Sequence, residues 1–159
     1  MEKEYQVEKV KTEEDYRQLA GLFREYEKDL GFELTFQNFE DELEHLPQMY
    51  GHPAGKAYLL KDDSNRYFGC VAVRNLEQGI GEIKRMYLKP EWRGRGFGKV
   101  LMDISLQAAR ELRYKKVRLD TLDTMHAAIA VYKKAGFYEI PKYRENPFGN
   151  AVFMEREVR

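Results

Sequence analysis

The stretch Met86-Tyr-Leu-Lys-Pro90-Glu-Trp-Arg93-Gly-Arg-Gly-Phe-Gly-Lys99 decides how this chain is read. It opens as the end of a strand, which Pro90 stops because a proline ring cannot donate to a sheet ladder. A glycine loop and the first turn of a helix follow. Glycines at 94, 96 and 98 let backbone N–H groups come close to a ligand. The helix N-terminus adds unpaired donors and the positive end of a dipole. Together they make an anion site suited to a pyrophosphate, with Arg93, Arg95 and Lys99 adding charge around it. The plainer alternative is a turn that only passes a strand into a helix. Three alternating glycines among three cations are costly for a turn alone, so anion binding is the expectation.

Two common phosphate motifs are excluded by spacing. A Walker A loop needs glycine five places before the Gly98-Lys99 pair and Ser or Thr after it; the chain has Arg93 and Val100 there. The G-x-G-x-x-G fingerprint fails in both registers, because its third glycine falls on Lys99 or on Leu101.

Outward from this stretch, the N-terminal part reads as an edge strand from Tyr5 to Lys11, then a helix entered through Thr12-x-x-Asp15. Tyr16, Leu19, Ala20, Phe23, Tyr26 and Leu30 recur at helical spacing, and Gly31 stops the run. A second helix is predicted from Gln37 to Leu46, ending before Pro47, with loop from Met49 to Gly55. Lys56–Lys61 and Arg66–Val73 form a hairpin across Asp62-Asp-Ser-Asn65. Glu82–Leu88 is the next strand. The long helix after the glycine loop buries Phe97, Leu101, Ile104, Ala108 and Leu112. Lys116–Thr121 is a strand and Met125–Ala135 a helix closed by Gly136, and short strands near Phe137 and from Ala151 to Glu157 follow. The order is that of one mixed α/β (α+β) domain, spanning 1–159, with a single sheet.

Composition narrows the class. At 159 residues the chain can bury a core without staples. Lys+Arg and Asp+Glu are each 27, so the net charge is zero, and a nucleic-acid partner is not expected. The single cysteine, Cys70, permits no internal disulfide and fits a reducing compartment. No apolar stretch is long enough for a membrane span and the N-terminus lacks an apolar signal region, so a cytoplasmic location without membrane attachment is expected. His45, His52 and His126 are scattered without ligand spacing, and no metal is expected.

Arg93-x-x-Gly96-x-Gly98, after a strand ending Leu88-x-Pro90, resembles the Q/R-x-x-G-x-G/A motif of the GNAT superfamily of N-acetyltransferases. Ala128-x-x-x-Tyr132-x-x-x-Gly136-Phe137 resembles that family's helix after the fifth strand, and the element order agrees over nearly the whole chain. Leu30-Gly-Phe32, Phe36-Gln37, Leu46-Pro47 and Glu145-Asn146-Pro147 are similar to a recurring bacterial-type subgroup of uncertain substrate.

The resemblance implies a central, mostly antiparallel sheet, splayed between its fourth and fifth strands and flanked by about four helices. It implies acetyl-CoA as co-substrate in the gap. Pantetheine would lie along Met86, Tyr87 and Leu88, and the pyrophosphate at Arg93, Gly94, Arg95, Gly96, Phe97, Gly98 and Lys99. A bulge in the fourth strand would polarise the acetyl carbonyl. The implied reaction is direct acetyl transfer to a primary amine of a small molecule or peptide. The alternative is an idle acyl-CoA-binding module on the same fold.

Direct transfer needs the amine neutral and the leaving thiolate protonated. By the resemblance Tyr132 is the proton donor; it equally completes a core face with Met125, Ala128 and Ile129. Glu82 is the leading base, against a plain solvated charge at a strand end or a water chain. Asp120, Tyr87 and Tyr58 are weaker base candidates. Cys70 reads as a core thiol. Met125 stands where many relatives carry a cofactor-binding asparagine. The resemblance implies an acceptor pocket from Phe32, Glu33 and Phe36 and from Tyr143 and Asn146, with Glu145 and Phe148 beside them; the plainer alternative is that these aromatics anchor two loops to the core. Aromatic walls with carboxylates suit a cationic amine. An edge strand and exposed aromatics permit a homodimer without requiring one.

Overall fold

A computed structural model describes residues 5–30, 39–144, 146 and 148–158. In chain order the elements are β1 (Tyr5–Lys9), α1 (Glu13–Leu30), α2 (Phe39–Glu44), α3 (Leu46–Tyr50), β2 (Lys56–Asp62), β3 (Tyr67–Glu77), β4 (Ile80–Leu88), a 3₁₀ turn (Pro90–Trp92), α4 (Phe97–Glu111), β5 (Lys116–Leu122), α5 (His126–Lys134), β6 (Tyr138–Ile140) and β7 (Ala151–Glu157). The strands form one sheet in the order β1-β2-β3-β4-β5-β7-β6. Every neighbouring pair is antiparallel except β4 and β5.

Local chemistry explains the boundaries. The Thr12 Oγ1 accepts from the Asp15 N–H at 3.0 Å, and Asp15 Oδ2 accepts from the Thr12 N–H at 3.0 Å, a reciprocal cap that opens α1. The second helix is two helices: α2 stops at Glu44, and α3 carries Pro47 in its first turn, where no backbone donor is needed. Met49 and Tyr50, expected in a loop, therefore lie in α3. The expected hairpin turn is locked by Asp62 Oδ1, which accepts from the Ser64 and Arg66 N–H groups at 2.8 and 3.0 Å. β3 is longer than expected because it runs on to Glu77 and turns into β4 through Gly79, at φ +79°.

The sheet is covered on both faces. Leu19, Leu22, Phe23, Phe39, Leu46 and Tyr50 from α1–α3 pack on Leu59, Cys70 and Ala72. Leu101, Met102 and Leu106 of α4 and Tyr132 of α5 pack on Val71, Val73, Ile83 and Leu119. Alternating residues of β3 thus feed two cores, which is why its sequence reads as a continuous apolar run.

Two irregularities shape β4. Cys70 pairs with Tyr87 but Ala72 pairs with Lys84, so one residue of β3 opposes Arg85 and Met86 together, a bulge. Arg85 takes φ +57° there. Its guanidinium binds Glu42 of α2 through two hydrogen bonds of 3.1 and 2.8 Å, and Tyr50 donates to the same carboxylate at 3.0 Å. Secondly, β4 pairs with β5 at Ile80–Lys116, Gly81–Val117 and Glu82–Arg118, and no ladder joins the two strands beyond that among the described residues. The sheet splits there, as expected.

Candidate active site

The split opens a cleft of about 1110 Å³. One wall is β4 from Ile83 to Leu88; the other is the β5 segment Leu119–Leu122 with α5. Arg93, Gly94, Gly96, Gly98 and Lys99 close one end, and Tyr26, Asp29 and Leu30 of α1 reach in from the opposite layer.

The loop has the geometry of an anion cradle. Gly94 and Gly96 take φ +73° and +88°, and no atom lies within 4 Å of where a Cβ would stand on either. Gly96 is the N-cap of α4 and offers no side-chain cap, so the first-turn N–H groups are left to a ligand or water. Gly98 answers a different need: a Cβ there would stand 3.3 Å from Val131, so its smallness sets the approach of α4 to α5. Arg93 is engaged by protein: its Nε donates to the Leu88 carbonyl at 2.9 Å and its Nη2 to Asp29 at 2.7 Å. Arg95 lies 4.3 Å over the Trp92 ring, and Phe97 packs into the core against Tyr5, Phe68 and Trp92. Neither of these two side chains lines the cleft, whereas Met86, Tyr87 and Leu88 all do.

Inside the cleft, Tyr132 is 8% exposed, and burial holds its hydroxyl above the ordinary tyrosine value, so it stays protonated at neutral pH. Asp120 stands on β5 two residues past the last β4–β5 pair; its Oδ2 is buried without a hydrogen-bond partner among the described residues. Burial, reinforced by Arg85, brings the Lys84 ammonium down to about 8.

Glu82 has other surroundings than a base requires. It is fully buried below the cleft wall. Its oxygens accept from Arg74 at 3.0 Å, Arg144 at 2.8 Å and Tyr143 at 2.7 Å. Burial alone would raise its pKa, but the charges of Lys84, Arg144 and Arg74 outweigh burial and lower it. A carboxylate so held takes up a proton reluctantly. It pins the Tyr143–Arg144 segment to the sheet instead.

Of the expected acceptor residues, Asn146 lines the cleft beside Phe148, while Tyr143 faces Glu82 and Phe153. Phe32, Glu33 and Phe36 lie outside the described residues, as do Glu145 and Pro147. Met125, the N-cap of α5, accepts from Thr121 Oγ1 through its sulfur at 3.4 Å. Cys70 is buried, and burial pushes its thiol up, as a core thiol requires. No described helix is long and apolar enough to cross a membrane. Sequence reasoning did not place Asp29, Tyr26 or Lys84 at the cleft, and read Tyr26 only as part of the apolar face of α1. For Lys84 the signal available was its pairing with Arg85, two adjacent cations inside a strand that also carries Glu82.

A mostly antiparallel sheet, split at its one parallel pair above a glycine loop and helix N-terminus, defines the fold of an N-acetyltransferase. The chain belongs to the acetyltransferase (GNAT) family, whose sequence model matches residues 14–137, and by that membership it is an enzyme. It is 37% identical over 153 residues to an uncharacterized N-acetyltransferase of Schizosaccharomyces pombe, covering 96% of this chain and 94% of that one. It is similar in fold to a GNAT acetyltransferase of Staphylococcus aureus Mu50, with TM-score 0.80 at 19% identity over 98% of this chain and 99% of that one. A spermidine N-acetyltransferase of Vibrio cholerae, solved with CoA and spermine, is similar at TM-score 0.70 and 18% identity, with 98% and 96% covered.

Proposed function

We propose that this N-acetyltransferase draws its acetyl group from acetyl-CoA and passes it directly to a primary amine of a small molecule or peptide. The observation that carries this is the split itself: one continuous cleft joins the glycine loop to a protonated tyrosine and an unpartnered carboxylate oxygen. The open φ-positive glycines and the uncapped α4 N-terminus fit a pyrophosphate, and Lys99 stands at the cleft wall beside them. The cleft edge of β4, free of β5 along Met86–Leu88, suits an amide-bearing pantetheine arm. When bound, acetyl-CoA supplies the activated thioester. That the Vibrio cholerae enzyme was solved with CoA and spermine is in keeping with an amine acceptor.

The chain's own residues divide the remaining work. Asp120 holds the incoming ammonium and accepts its proton, replacing Glu82 as the proposed base. The bulge at Arg85–Met86 takes backbone out of the β3 register beside the acyl position, a device for an oxyanion donor. Tyr132 gives a proton to the leaving thiolate. Asn146 and Phe148 bound the acceptor end. The test is thiol release from acetyl-CoA with a panel of amines, where amine-dependent release is expected. A protein that binds CoA but releases no thiol with any amine would be an acyl-CoA-binding module instead.

A further inference from the structure

Asp29 sits at the penultimate position of α1, where the helix dipole disfavours an anion. A residue that opposes the helix it belongs to needs another reason to be there. Its Oδ2 supplies one by taking two donors from the opposite side of the cleft mouth. Arg93 Nη2 donates to it at 2.7 Å and the Tyr87 hydroxyl at 3.1 Å. Arg93 in turn donates through Nε to the Leu88 carbonyl at 2.9 Å, and its guanidinium lies 5.5 Å from the Tyr87 ring centre. One turn earlier on α1, Glu25 pairs with Lys89 at 3.7 Å and the Tyr26 ring meets the Tyr87 ring edge-on at 5.9 Å. The last turns of α1 are thereby fastened to the end of β4 and to the first residue of the glycine loop.

We infer that Asp29 is a positioning residue for the phosphate end of the cleft: through Arg93 and Tyr87 it fixes the β4 end and the glycine loop in the form that accepts the pyrophosphate. The inference rests on the acetyl-CoA assignment above. Two accounts of Asp29 predict opposite signs. If it merely sat near the loop as a charge, removing it would raise the local positive potential and tighten a polyanion. If it positions Arg93, removing it lets the loop wander and weakens the same ligand.

Calorimetric titration of CoA into the parent, Asp29→Asn, Arg93→Gln and the double variant separates these accounts. Binding to the parent tests the assignment by itself. Given that binding, Asp29→Asn should weaken CoA by about threefold to tenfold, the scale of a half-exposed charged hydrogen bond. The melting temperature should stay near the parent's, KM for acetyl-CoA should rise, and kcat should hold. The double variant should lose little more than either single one, because both break the same link. Asp29→Asn that binds CoA as well as the parent or tighter, or two losses that simply add, would overturn the inference.

Discussion

Tyr132 belongs to two settings at once. It packs into the core from α5, and it lines the cleft. Tyr132→Phe keeps the ring, so the melting temperature should hold while turnover at saturating substrate falls about tenfold to a thousandfold, the size of an acid–base contribution. Unchanged turnover would return Tyr132 to the core alone. Asp120→Asn removes the charge but keeps the shape. It should cost a similar factor with CoA affinity intact, as measured by steady-state rates beside calorimetry. Glu82→Gln should instead act on stability, because it leaves Arg74 and Arg144 without their shared anion. The sequence marked Glu82 by its place at the start of a strand and by the family resemblance. It could not show that three donors already fill that carboxylate, since Tyr143 and Arg144 lie 61 and 62 residues away and Arg74 meets it only through the β3–β4 register.

Among elements, the glycine loop and the β4 bulge carry the site. Gly96→Val forces a β-branched residue into φ +88°, although no neighbour lies within 4 Å to clash. Folding should survive a loss of about 1–2 kcal/mol, while CoA affinity falls sharply, as read by calorimetry and thermal melting. The bulge is held open by Arg85 and Glu42, both with side chains 3% exposed. Glu42→Gln leaves a buried guanidinium uncompensated and should cost about 3–5 kcal/mol in chemical denaturation. The strands and long helices were legible because their apolar period and caps are local. The break between α2 and α3 was not, because Pro47 signals a stop and a first helical turn equally well. The partnership of Arg85 with Glu42 was hidden for another reason: a 43-residue separation leaves no trace in local pattern.

At the scale of the whole molecule, the single mixed sheet was legible in the apolar patterning, whereas its split and the family were legible only through the resemblance that two motifs carry. The side-chain roles at the split depend on which residues cross between layers. Buried carboxylates also set the pH response. Glu42, Glu82 and Glu155 ionise more readily in the folded chain than at the usual 4.5, since burial is outweighed by arginine and lysine partners. The unfolded chain then binds more protons on acidification, so their stabilisation is complete above about pH 4.5 and lost as pH falls through the folded values. Parent and Glu82→Gln should therefore differ clearly in melting temperature at pH 7 and converge on acidification below about pH 4.5.

In the proposed reaction the split sheet carries acetyl-CoA past Tyr132 to an amine. The most direct measurement is amine-dependent release of CoA thiol by the parent and Tyr132→Phe at saturating acetyl-CoA, with CoA affinity measured on both. Release should require an amine and fall at least tenfold in the variant, with CoA affinity unchanged. Equal release by both proteins, or a parent that binds no CoA, would contradict it.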